Sequence, residues 1–118
     1  MAENLNGNWV LVSGLSPSPF PPRPEITAEF RDGTISGTGG CNRYFGDYRI
    51  KETSETSGYI DFGAIATTRM SCGEYIDSQE RTYFQALEMI HQYEITDEGQ
   101  TLIMPYPSPE RYLKFERQ

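Results

Sequence analysis

The chain has 118 residues, 17 of them acidic and 10 basic, for a formal net charge of −7. That length fits one domain able to bury a core without staples, and an aromatic content of 13% suits packed strands better than disorder. So acidic a surface repels phosphate backbones and anionic headgroups, and no run approaches the ~18 apolar residues of a spanning helix, which argues against nucleic-acid binding and against a transmembrane segment.

The start, Met1 to Gly7, has neither a basic region nor an apolar stretch of the kind that directs export. The expectation is a cytoplasmic protein if Met1 is native, or an exported or periplasmic one if a signal sequence has been removed. In the first strand, Trp9, Leu11 and Ser13 alternate with Val10 and Val12, apolar on both faces, which places it centrally or under cover. Residues 16–24 are dense in proline (Pro17, Pro19, Pro21, Pro22, Pro24) and read as an extended loop. Within them, Pro19 to Arg23 formally matches a proline-rich recognition motif, although a stiff crossover between strands explains it as well. Residues 26–31 alternate as a half-buried strand. Asp32-Gly33 is a hairpin turn, because both residues tolerate positive φ, and Thr34-Ile35-Ser36 returns as its partner. Phe45–Lys51 and Tyr59–Phe62 form a second pair around the polar loop Glu52–Gly58.

One helix is expected near 78–91. Asp77 is placed to cap it, with Glu80 completing a capping box, and Ile76, Tyr83, Phe84, Leu87 and Ile90 form an apolar stripe of helical period. Tyr93–Thr96, Thr101–Met104 and Arg111–Glu116 follow as a meander, with turns at Asp97-Glu98-Gly99 and Pro105–Pro109. The fold class is therefore α+β: one curled, mostly antiparallel, barrel-like sheet of seven or eight strands with one covering helix. Trp9, Phe30, Phe84 and Leu87, each on the apolar phase of its element, are expected at the heart of the core.

Two segments hold the two cysteines: Gly37-Thr38-Gly39-Gly40-Cys41-Asn42-Arg43-Tyr44 and Thr67-Thr68-Arg69-Met70-Ser71-Cys72. Together with Asn8-Trp9-Val10-Leu11, Gly46-Asp47-Tyr48, the Glu80/Tyr83/Phe84/Leu87 helix and Tyr112–Phe115, they resemble the META domain, the family that includes the heat-inducible bacterial protein HslJ. The resemblance covers residues 7–117, making 1–118 a single domain. It implies a small β-rich barrel with an accessory, stress- or envelope-linked role whose molecular basis is poorly defined even among relatives.

Cys41 and Cys72 each end a strand segment at a turn, so the two are expected within bonding reach, as a disulfide or as paired buried thiols. A third reading makes Cys72 a reactive nucleophile at the amino end of the helix, although no partner base is apparent. Arg43 and Arg69 stand close to the cysteines and form a candidate anion dock, with pairing to Asp47, Asp61 or Glu74 and capping of loop carbonyls as the plainer reading. His91, the single histidine, is expected to ease the helix dipole, and with two separated cysteines it makes a poor metal set. Gly37-x-Gly39-Gly40 precedes no helix and has no lysine after it, so it reads as a tight turn and not a phosphate loop. No cofactor, metal or catalytic set is expected. The leading function is therefore non-enzymatic binding of a protein partner or small ligand by a monomer. The alternative is a carrier of a small apolar ligand inside the barrel, lined by Tyr44, Phe45, Tyr59, Phe62 and Phe84.

Overall fold

The computed structural model describes residues 5–15, 22–106 and 111–118. The proline-rich segment from Ser16 to Pro21, with most of the recognition motif, and residues 107–110 of the turn after Tyr106 lie outside the described residues.

Among the described residues, nine strands and one α-helix follow in order: β1 (Gly7–Ser13), β2 (Thr27–Arg31), β3 (Thr34–Thr38), β4 (Arg43–Glu52), β5 (Ser57–Phe62), β6 (Ala66–Thr67), α1 (Glu74–Met89), β7 (Gln92–Thr96), β8 (Thr101–Pro105) and β9 (Tyr112–Arg117). The sheet runs β3-β2-β1-β9-β8-β7-β5-β4, and pairing of β3 with β4 closes it into an eight-stranded antiparallel barrel. The hairpins form where turn chemistry demands them. Asp32 and Gly33 both take positive φ (48° and 94°), matching the right-handed twist of β2 and β3. Asp97, Glu98 and Gly99 also take positive φ between β7 and β8. The two-residue strand β6 has no period for a sequence pattern to display.

Alternation along the strands decides the interior. Trp9 and Leu11, Ala28 and Phe30, Ile35, Tyr44, Ile60, Leu102 and Met104, and Leu113 and Phe115 all point inward, each at most 1% exposed. A chamber of ligand size would leave wall that water could reach, and these side chains leave almost none. The barrel axis is therefore filled by side chains of several strands. Trp9 is anchored twice, by its indole N–H donating to Leu5 O (2.9 Å) and by the Arg117 guanidinium 4.2 Å over its ring.

The helix departs from expectation at its start and in its phase. It begins at Glu74 with Gly73 as N-cap and no side-chain capping bond, so the Asp77–Glu80 capping box does not form. Asp77 instead lies within the first turn and Glu80 faces inward. The buried face is Glu80, Tyr83, Ala86 and Leu87, continued by Ile90 just beyond the helix, while Phe84 is half-buried on its flank. Trp9, Phe30 and Leu87 thus occupy the core as expected and Phe84 does not. The face is turned because Glu80 is drawn inward by hydrogen-bond donors that periodicity cannot register. His91 sits past the helix end and pairs with Asp61 (3.0 Å), both well exposed, and not with helix carbonyls.

Candidate functional site

The β3–β4 loop, the segment after β6 and the first half of α1 meet at one end of the barrel. Residues 39–42 make a tight turn closed by Gly39 N–H donating to Asn42 O (2.9 Å). A Cβ on Gly39 would stand 2.7 Å from Glu80 Cγ and 2.9 Å from Phe84 Cζ, so the missing side chain is what lets α1 approach the loop.

Glu80, buried in that contact, accepts from Cys41 N–H (3.1 Å) and Asn42 N–H (2.6 Å) through Oε2, and from Asn42 Nδ2 (2.6 Å) through Oε1. A buried carboxylate persists only when so compensated. Asn42, also buried, passes the linkage on. Its Nδ2 donates to Met70 O (3.0 Å), and its Oδ1 accepts from Thr68 Oγ1 (2.8 Å) and Met70 N–H (2.7 Å). Both amide hydrogens and both acceptor positions of this side chain are engaged.

The disulfide adds a covalent tie. Cys41 and Cys72 are bonded, with Cα atoms 5.9 Å apart. Cys72 therefore carries no thiolate in this structure. Asp77 fastens the same segment to the helix, accepting from Ser71 Oγ (2.6 Å) and Cys72 N–H (3.0 Å). These bonds, the Cys72 amide first and the Ser71 hydroxyl second, hold its carboxyl below the ordinary carboxylate range, with Arg81 adding in the same direction.

Between this fixed segment and the outer flank of α1 runs a surface cleft of about 650 Å3. Its walls are Asn42 and residues 67–71 on one side and Asp77, Glu80, Arg81, Phe84, Gln85 and Glu88 on the other. β6 is the terminal strand of the sheet order and, among the described residues, pairs with β4 alone, so its second edge has no strand on it, and Thr67 and the residues after it line the cleft.

The two arginines of the proposed anion dock separate here. Arg69 lines the cleft, joined by Arg81 and not by Arg43. Arg43 is tied to the same neighbourhood through its backbone, opposite Thr68. Neither Arg43 nor Arg69 makes an ion pair with a described residue, so the plainer reading of pairing to Asp47, Asp61 or Glu74 is not what is found. The aromatics expected to line a ligand chamber also scatter. Tyr44 is inside the core, Phe45 and Tyr59 are exposed on the outer face, and Phe62 and Phe84 are half-buried. The residues that sequence reasoning missed are Asn42 and Glu80. The only signal was an acidic residue on an apolar helix face, which reads first as a cap.

The sequence matches the family model of the META domain over residues 3–118. The chain belongs to the META domain family. This META domain is also similar to a solved structure, the NMR structure of a protein from Burkholderia xenovorans. The two share 26% sequence identity with a TM-score of 0.76, over 99% of this chain and 86% of that one. No curated protein matches the chain.

Proposed function

We propose that this META domain is a non-enzymatic binding module of an accessory kind, and that the β6–α1 cleft is its recognition face. The observation that carries the reading is the cross-bracing of the cleft wall. One disulfide, one fully bonded asparagine and one doubly bonded aspartate tie residues 68–72 to the β3–β4 loop and the helix, whereas the barrel itself closes through the β3–β4 pairing. Pre-organised polar backbone beside a helix lowers the ordering cost of binding. The filled interior favours this surface over an apolar-ligand chamber. The bonded state of Cys72 weighs against thiol chemistry. A disulfide persists in oxidising surroundings, which favours the envelope-linked role over a cytoplasmic one.

An amide-shift survey of the oxidised protein with a mixed set of small carboxylates, amides and aromatics tests the reading. The expected shifts fall on residues 67–71 and 77–88. Shifts centred on Trp9, Leu102 and Leu113 would instead support the carrier, and shifts scattered over the surface would overturn the cleft.

A further inference from the structure

The outer edge of β6 specifies what the cleft takes. Along an antiparallel strand, successive residues turn their N–H and C=O groups to alternate neighbours. Two bonds on opposite flanks fix the phase of β4: Thr68 N–H donates to Arg43 O (3.0 Å), and Tyr48 N–H donates to Gly33 O (2.9 Å). Arg43 and Phe45 therefore face β6, through Thr68 and Ala66, and the main-chain groups of Thr67, the last residue of β6, point away from β4. No described residue hydrogen-bonds the Arg69 main chain. Its neighbours are used up: Met70 N–H and C=O by Asn42, Thr68 N–H by Arg43. What remains open is the main chain of Thr67 in β6 and of Arg69 just beyond it, two residues apart, a spacing of about 6.4–6.8 Å in extended chain. A partner that satisfies such a spacing is another extended chain.

The side chains narrow its chemistry. Glu80 is occupied by three donors and Asp77 by two, whereas Arg69 has no acidic partner among the described residues. Arg81 stands on the facing wall, and Glu88, two helical turns further on, disfavours a uniformly acidic ligand. We propose that β6 takes up an extended peptide segment bearing one acidic side chain, which adds as a strand between β6 and α1 with its carboxylate against Arg69. This inference rests on the cleft being the recognition face.

A displayed random heptapeptide library panned on the oxidised full chain supplies the probes, resynthesised with acetylated and amidated ends. The proposal expects enriched peptides carrying an Asp or Glu, and slowed amide exchange at Thr67 and Arg69 when they bind. Thr67→Pro removes an N–H that points away from β4, a position where an edge strand tolerates proline. It should melt like the parent and bind the peptides at least tenfold more weakly. Arg69→Glu should bind acidic peptides at least tenfold more weakly and favour their Lys-substituted versions. Should Thr67→Pro fail to fold, peptides N-methylated at alternate amides make the same test from the ligand side, again with a tenfold loss expected.

Strand addition is overturned by a pool without enrichment, or by peptides indifferent to both backbone changes. It is also overturned by a parent that dimerises while Thr67→Pro is monomeric, which would make a second copy the occupant. Indifferent peptides that still shift residues 67–71 and 77–88 would remove strand pairing and leave the cleft reading standing. Peptides and small fragments that both leave those amides unmoved would remove the two together.

Discussion

Asn42 donates to Glu80 Oε1 at 2.6 Å across 38 residues of sequence, and that amide–carboxylate contact joins the helix to the segment that frames the cleft. Every polar atom of the pair is engaged, so neither can change without stranding several partners.

Asn42→Ala should therefore cost about 3 kcal/mol, because it strands Glu80 Oε1 in a buried site and leaves the part-buried Met70 main-chain groups without their partner. Asn42→Asp should cost at least as much, by setting a second carboxylate beside Glu80. Urea melts give the free energies. Amide exchange should show residues 68–72 loosening before the barrel, and uniform loosening of the whole domain would contradict the local role.

Helix phase gives a second expectation. Tyr83 is fully buried and stacks edgewise on Tyr44, with ring centroids 5.6 Å apart, while Phe84 lies on the flank. Tyr83→Ala should cost about 3–5 kcal/mol. Phe84→Ala should cost less than Tyr83→Ala, and Arg81→Ala should stay within about 0.5 kcal/mol. The order of the three melting midpoints decides it, and a larger loss at Phe84 than at Tyr83 would mean the helix is rotated.

Reduction of the Cys41–Cys72 bond should lower stability by about 3–4 kcal/mol, the chain-entropy value for a loop of about 30 residues. Paired melts with and without reductant measure it directly. The Cys41→Ser/Cys72→Ser variant should behave like the reduced parent, and coincident oxidised and reduced melts would show that the Asn42 network alone fixes this end.

Alkaline pH should act through Tyr44 and Tyr83. Their hydroxyls are hydrogen-bonded at 2.6 Å, Tyr44 also reaches Thr27 O (2.7 Å), and burial holds both phenols well above the ordinary tyrosine range. Below the unfolded value of about 10 both states keep these protons and the contribution to stability is fully present. As pH rises beyond it, the unfolded chain releases protons that the fold retains, so stability falls progressively toward the raised folded values. Phenolate absorbance should show two of the eight tyrosines ionising only as the protein unfolds. Early ionisation of all eight in a folded protein would contradict the buried pair.

The sequence by itself determined the features whose causes are local. Alternation at Trp9–Leu11 and Ala28–Phe30 reports a buried face because the strand period is two. Asp32-Gly33 reports a hairpin because both residues accept positive φ. The glycine-framed cysteine turns marked corners that a small domain brings together. Only the tertiary structure decided how the barrel closes through β3 and β4, that two residues at β6 form an open edge, and that Glu80 turns inward in place of Phe84. Those outcomes rest on bonds between residues far apart in the chain. A carboxylate such as Glu80 reads as solvent-facing or capping until the fold brings the Cys41 and Asn42 donors to it, and hydrogen bonding then outweighs the apolar periodicity that placed Phe84 inside.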